Sequence, residues 1–228
     1  MISLLEVRRY FNWLVDWQNA ASTATFPMNA SVTVPAGMIS LELEAGCPIA
    51  GPFGALVRFD YGMPASIVER LRYTGPLLLL TDTWTWEMTA MQAMIGVYGQ
   101  AAVSDRFRIG GSVAGGWLRL AVAELQEHAE TFPAPGTREW TIDYSGSAPA
   151  FEFRCFATYA VVSHVDVILE AGYEYAKVDS ERATREWSPA GYYGTRVGDP
   201  YPRDWLSGEV IPWDLSGLGG KIALRYSF

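Results

Sequence analysis

The chain lacks a long hydrophobic segment, and none of its strictly apolar runs is longer than Leu77 to Leu80. A membrane-spanning helix needs about 20 such residues, so this class of segment is excluded. Cysteine and histidine are also scarce, with Cys 2 and His 2, and there is no CxxC spacing. The cysteines are too few for a disulfide framework, and no metal or cofactor motif is present. Charged residues make up only 18%, and the net charge of −8 argues against nucleic acid as a partner.

The chain is rich instead in aromatic residues, with Trp 9 and Tyr 12, and in strict alternation. The clearest case is its last ten residues. Side chains of a strand alternate between two faces. One face of this segment is apolar and is formed by Ile222, Leu224, Tyr226 and Phe228. The opposite face carries Lys221 and Arg225.

Eight segments alternate in this way between turn residues, which predicts eight β-strands. They cover 5–17, 32–47, 53–61, 81–98, 106–123, 151–161, 165–177 and 219–228. The first segment is also compatible with a helix. In the fourth, Trp84, Trp86 and Met88 lie opposite Glu87, and in the fifth the alternation flips near Gly115 and Gly116, which favours a bulge or close strand packing.

Alternation alone does not say which face is inside, since a soluble lipocalin-like barrel would give the same pattern. The connections favour a membrane barrel because short and long ones alternate. The short ones are 48–52, 101–105 and 162–164, and the long ones are 18–31, 62–80, 124–150 and 178–214. Transmembrane barrels have short periplasmic turns and long outer loops. We therefore predict an all-β, up-and-down antiparallel transmembrane barrel of eight strands, with apolar residues facing outward.

The whole chain, residues 1–228, resembles the small bacterial outer-membrane β-barrel proteins of the OmpA transmembrane-domain and OmpX type. The resemblance rests on strand count, loop asymmetry and the terminal aromatic face. It implies a single domain in the outer membrane of a Gram-negative bacterium, in contact with lipid and lipopolysaccharide, and a terminal face that the barrel assembly machinery reads. No signal peptide is recognisable from Met1 to Glu6, so we expect it to have been removed.

The polar faces of the strands predict a charged barrel interior. Its members are Arg58, Asp60, Glu87, Arg154, Asp166, Glu170, Glu174, Lys221 and Arg225, joined by Arg8, Glu42, Glu44 and Glu152. An eight-stranded barrel is just wide enough to be filled by side chains. We therefore expect paired charges that plug the barrel, rather than a porin-like ion path.

The last long connection, 178–214, is the best candidate for a function. It combines aromatic and arginine side chains, the residue types that anchor interfaces. They include Trp187, Tyr192, Tyr193, Arg196, Tyr201, Arg203 and Trp205. The alternative is that these rings pack on one another and cap the barrel mouth. We predict a non-enzymatic anchor or a surface-binding protein, active in adhesion, whose partner is a surface ligand or a protein subunit.

The competing hypothesis is an outer-membrane surface hydrolase, either an omptin-like protease or a lipid A-modifying enzyme. It would use His128 with carboxylates of neighbouring loops, such as Asp16, Asp82 or Asp143. A carboxylate beside an imidazole can orient a general base. Omptins have ten strands and longer chains, and His128 matches no lipid A deacylase motif. His164 is predicted to be a solvated turn residue.

Overall fold

The computed structural model describes residues 2–3, 5–23, 27–35, 37–75, 78–132, 135–187, 198 and 212–226. The fold is all-β apart from helix α1 (Leu5–Ala20). The strands are β1 (Ile2–Ser3), β2 (Met28–Thr33), β3 (Gly37–Met38), β4 (Ser40–Ala50), β5 (Phe53–Gly75), β6 (Leu78–Ala102), β7 (Phe107–Phe132), β8 (Gly136–Val162), β9 (Val165–Val178), β10 (Arg182–Trp187), β11 (Trp213–Asp214) and β12 (Gly217–Tyr226).

Ten of these strands form one antiparallel sheet, which is curled as a half-barrel. Its order is β11-β9-β8-β7-β6-β5-β2, while β4 also pairs with β5, β10 with β8 and β12 with β9. The remaining strands, β1 and β3, pair with each other. The predicted number of eight strands is wrong, partly because short strands share a long partner: β2 and β4 pair with different parts of β5.

Three connections that the sequence predicted to be short lie at one end of the sheet, which we call the lower end. They are 51–52, 103–106 and 163–164, and the C-terminal end of β12 lies there too, since Tyr226 pairs with Val165. The predicted short turns are therefore confirmed to within a few residues. The other end is called the upper end.

The segment predicted as a first strand is helix α1. Its buried side chains are Val7 and Phe11, and Tyr10 and Leu14 pack against the core beside them. Spacings of three and four residues place these side chains on one helix face. The polar residues between them imitate period-two alternation, which explains the error.

Two predicted long loops, 62–80 and 124–150, are also wrong, because they form the upper parts of β5 to β8. In β5 the pairing with β6 shifts between Gly62 and Ala65, which indicates a bulge. Below this bulge the inward residues have even numbers, such as Arg58. Above it they have odd numbers, such as Ile67. A search for one uninterrupted alternation stops at such a shift.

The predicted bulge at Gly115 and Gly116 does not form, because β7 keeps its register with β6 and β8 throughout this region. The glycines allow close packing instead. A Cβ atom on Gly116 would lie 2.0 Å from the carbonyl oxygen of Ala93, and one on Gly96 would lie 2.2 Å from that of Val113. Only glycine fits at these two positions, and such glycine sites allow a sheet to curl tightly.

Candidate functional site

The lower end of the sheet carries an apolar exterior, which we call the lower band. It covers 39–50, 53–61, 91–103, 107–117, 149–162, 165–175 and 218–226. Its outward side chains include Phe59, Ile95, Phe153 and Leu224, all exposed. Outside the band, the only exposed large hydrophobic side chains in the described part of the chain are Trp13, Trp17 and Met63. The band is therefore a continuous apolar surface around the lower end.

The inward face of the lower band holds a group of acidic and basic side chains, which we call the interior charge cluster. Its members are Glu42, Glu44, Arg58, Asp60, Glu152, Arg154, Glu170 and Lys221. Three cations here face five carboxylates. They come from β4, β5, β8, β9 and β12, whose inward positions meet inside the curled sheet.

Arg154 is the centre of the interior charge cluster. Its guanidinium binds Glu152, donates from one nitrogen to Glu42 at 2.8 Å and to Glu170 at 2.9 Å, and lies 3.9 Å from Asp60. The side chain is 8% exposed. A buried guanidinium with several carboxylate partners is held in place, because the loss of any partner would leave a charge without compensation.

Arg58 and Lys221 complete the cluster. Arg58 is 2% exposed, binds Glu152, and donates to Glu44 at 2.5 Å. Lys221 binds Glu42 and also lies 3.1 Å from Glu170. These contacts tie β12 to β4, although the two strands share no backbone pairing.

A small cavity lies beside these charges. A cavity of about 20 Å³ adjoins Glu152, Arg154, Glu170 and Lys221, enough for a single water molecule. Nearby, the amide of Gln92 donates to Glu174 at 2.7 Å. The inward face of the lower band thus carries a network of polar groups, in which Oδ1 of Asp60 is buried without a hydrogen-bond partner.

The upper half of the molecule has the opposite arrangement. It comprises α1, β2, β10, β11 and the parts of β5 to β8 above the lower band. Its buried residues are mainly apolar and include Ile67, Trp86, Met88, Leu118, Leu120, Val122, Ile142 and Tyr144. Its outward charged side chains are exposed and include Arg70, Arg72, Glu87, Arg119 and Glu127. The predictions of an inward Glu87 and of outward Trp84, Trp86 and Met88 are therefore wrong.

Helix α1 lies against this apolar interior. The ring of Phe11 packs 4.8 Å from that of Trp86 and 6.3 Å from that of Trp213. The indole N–H of Trp86 donates to Glu124 at 2.9 Å. At the other end of the helix, the amide of Gln18 donates to Glu69 at 2.8 Å, and burial raises the pKa of Glu69.

His128 and Asp82 form a partly buried pair in the upper half. They lie directly opposite each other on β7 and β6, with 2.7 Å between Nδ1 of His128 and Oδ1 of Asp82. Burial raises the pKa of Asp82, and the bond to His128 opposes this shift. The imidazole and the buried ring of Trp140 form a T-shaped pair, with 5.9 Å between the ring centroids. No serine, threonine or cysteine side chain is hydrogen-bonded to His128 among the residues that the structure describes.

The other residues predicted from the sequence lie on β12, at the lower end or in the last long connection. Ile222, Leu224 and Tyr226 point outward on β12, 59–77% exposed, while Phe228 lies outside the described residues. Asp166 and Arg225 bind each other at 2.6 Å at the lower end, and His164 is exposed in its turn. Trp187 ends β10. The remaining loop candidates lie outside the described residues: Tyr192, Tyr193, Arg196, Tyr201, Arg203 and Trp205.

Sequence reasoning missed several inward residues of the upper half. Phe11, Glu69 and Glu124 were not candidates, and Trp213, which was assigned to the last long connection, is buried in β11. The signal available for Phe11 was its four-residue spacing from Val7. Glu69 and Glu124 belong to segments that were interpreted as loops. Glu181, directly before β10, is 1% exposed, and burial raises its pKa to about 7.

Comparison of the chain with protein-family models, with curated proteins and with solved structures finds no match. No helix among the described residues is long and apolar enough to cross a membrane. In the same part of the chain, no group of three or more histidine, cysteine or acidic side chains is arranged to hold a metal ion.

Proposed function

We propose that the chain is a β-barrel protein of the bacterial outer membrane, which acts without catalysis as a structural anchor or as a surface-binding protein. The lower band would lie in the lipid, and the upper half would project from the membrane. The observation that carries this proposal is the inverted arrangement of the lower band, with exposed apolar side chains outside and buried, paired charges inside.

The dimensions of the lower band support a membrane location. The outward apolar positions cover 11 residues in β9 (165–175) and nine in β12 (218–226). A transmembrane strand has about 9–11 residues. Moving a large side chain such as Phe153 out of water contributes roughly 1.5–3 kcal/mol. Water-soluble monomers rarely expose a continuous apolar surface of this extent.

The interior charge cluster supports an anchor rather than a channel. Its side chains fill the inward face, and the adjoining cavity holds about 20 Å³. A water-filled pore needs a wider barrel. In planar bilayers we therefore expect no stable conductance of porin size. Such a conductance from most inserted molecules would contradict a plugged interior.

The surface-binding part of the proposal rests on the composition of 188–211. This segment is rich in tyrosine, tryptophan and arginine, and the strands before and after it, β10 and β11, belong to the upper half. A surface ligand, lipopolysaccharide or a protein subunit would bind there. Replacing 188–211 by a short Gly-Ser linker is expected to abolish partner binding while leaving the lower band folded.

Flotation with phospholipid vesicles tests the membrane location. The refolded chain is expected to float with the vesicles and to resist extraction at high salt and high pH. In mild detergent, its electrophoretic mobility should change on heating, as barrels of this kind do when they unfold. A monodisperse, soluble monomer in the absence of detergent would disprove the proposal.

The second candidate is a surface hydrolase, and the bond between His128 and Asp82 favours it. An imidazole held by a carboxylate at Nδ1 presents Nε2 as a general base. If this function is correct, the refolded protein will hydrolyse a peptide or lipid A, and His128→Ala and Asp82→Asn will each abolish turnover. Unchanged turnover in His128→Ala, or no turnover by the parent chain, would leave this pair as a structural contact.

A further inference from the structure

The two edge strands of the lower band, β4 and β12, are left with one open side each. Among the described residues, β4 pairs in the band only with β5, and β12 only with β9. Leu43 and Leu224 on these edges are 75% and 76% exposed, whereas the exposed large hydrophobic side chains on the inner strands of the band range from 44% for Met91 to 70% for Ile95. An open, apolar strand edge invites pairing with another strand.

The directions of the edge strands determine what fits between them. β4 runs toward the lower end, since it enters the turn 51–52. β12 also runs toward the lower end, because its last residues pair with the first residues of β9. Two strands of the same direction cannot join in an antiparallel ladder. One strand that runs upward between them would continue the antiparallel order on both sides.

Strand β1 marks the upper end of this gap. Ile2 and Ser3 pair antiparallel with Met38 and Gly37 of β3. β3 leads directly into β4 through Ile39, whose carbonyl accepts a bond of 2.7 Å from Met63 of β5. β1 therefore runs upward, and it lies beside β12 as well. These two residues have the direction and position of a strand that would fit between β4 and β12.

Side chains bridge the gap on its inward face, where Lys221 of β12 and Glu42 of β4 bind each other. A single intervening strand would separate its two neighbours by about 10 Å, a span that two extended side chains of this length can cover. Arg154, on β8, reaches Glu42 at 2.8 Å. The gap is thus closed on the inside by side chains, while its backbone edges stay open.

We propose that the gap between β4 and β12 is an acceptor site for one further strand, an extended segment of alternating apolar and polar residues that runs upward from the lower end and ends beside Ile2. The lower band would then contain eight antiparallel strands. About ten residues are needed, with apolar side chains outward beside Leu43 and Leu224, and small or polar ones inward above Lys221 and Glu42. The expectation of apolar outward side chains rests on the proposed membrane location, whereas the backbone pairing with β4 and β12 does not.

The test uses the full chain with a designed strand of ten alternating residues fused before Met1. Cys47 and Cys155 are replaced by serine, a cysteine is placed in the added strand, and its partner is Leu43→Cys or Leu224→Cys in separate variants. We expect a disulfide to form with both edges in mild oxidant. The matched control contains one additional residue before Met1, which turns every side chain of the strand to the opposite face, and should lose both cross-links.

Three results would overturn the proposal. One is a disulfide between Leu43→Cys and Leu224→Cys within a single unextended chain, because the edges would then meet directly. Another is a disulfide-linked dimer of unextended chains, since a second copy would occupy the gap. The third is equal cross-linking in the shifted control. Vesicle flotation of the same samples separates the two proposals: cross-linking without flotation contradicts the membrane location alone, and flotation without cross-linking contradicts the added strand alone.

Discussion

The lower band and the upper half belong to the same strands but have opposite interiors. In β7, even-numbered residues point inward throughout, yet their character changes from Ser112 and Ala114 in the lower band to Leu118, Leu120 and Val122 above it. The outward residues change in the reverse sense, from Val113 and Trp117 to Arg119 and Glu127. The backbone alternation is continuous across this boundary.

This contrast shows that alternation identifies a strand with one apolar and one polar face. It does not show which of the two faces is in contact with water, with lipid or with the interior of the protein. A sheet with water outside buries its apolar face, whereas a sheet with lipid outside exposes it. The difference lies in what fills the interior. Helix α1 and aromatic rings fill the upper half, and ion pairs around Arg154 fill the lower band.

Arg154→Leu is expected to have the largest effect on the lower band. It would leave Glu42, Glu152 and Glu170 without their shared cation, and breaking a buried ion pair in this way costs about 3–5 kcal/mol. Urea unfolding in detergent micelles, followed by tryptophan fluorescence, measures the loss. The matched control is Arg119→Leu in the upper half, which is exposed and should change the unfolding free energy by less than about 0.5 kcal/mol. Equal effects would mean that the cluster does not hold the lower band together.

Phe153→Arg tests the exterior of the lower band. Phe153 is 59% exposed, so in water a charge there would be almost neutral. An arginine near the middle of a bilayer costs about 2–4 kcal/mol. We therefore expect a large loss of stability in vesicles, whereas Ala123→Arg on the outside of the upper half should have little effect. If both variants are equally tolerated in vesicles, the lower band is not in contact with lipid.

Glu181→Gln tests the upper half through its pH dependence. Burial raises the pKa of Glu181 from 4.5 to about 7, so the folded protein binds a proton more tightly than the unfolded chain. The stabilising contribution of this proton is complete below pH 4.5 and is lost as the pH rises to about 7. The glutamine variant should match the parent at low pH and exceed its stability by up to about 3 kcal/mol above neutrality. If the unfolding free energies of the two proteins change in parallel between pH 4.5 and about pH 7, the pKa of Glu181 is not raised.

The smallest expected effect concerns the two native cysteines. Their labelling should differ between the unfolded protein and the protein in vesicles, while the stability of the protein stays the same. Cys47 and Cys155 are free and exposed on the outside of the lower band. A water-soluble maleimide is expected to react with both in detergent-free unfolded protein and with neither in vesicles. A cysteine at Ala123, in a chain with both native cysteines replaced, should react in either state. Labelling of Cys155 in intact vesicles would place that part of the band in water.

The lower band was largely predictable from the sequence, and the upper half was not. The outward faces of β4, β9 and β12 were predicted, as were the short turns and the inward position of Arg58 and Arg154, because each strand there alternates without interruption. The upper parts of β5 to β8 were interpreted as loops. Their faces are inverted, and the register shift between Gly62 and Ala65 interrupts the pattern. The partnership of His128 with Asp82 depends on strand register, which no local pattern shows.

The extra residue between Gly62 and Ala65 decides which face of β5 meets helix α1. A bulge shifts the alternation of its strand by one residue, so above it Glu69 faces inward and Arg70 faces outward. This shift allows Gln18 of α1 to donate to Glu69. Removing one residue here would turn every side chain of the upper part of β5 to the opposite face, which would set Arg70 against the helix and leave Gln18 without its partner.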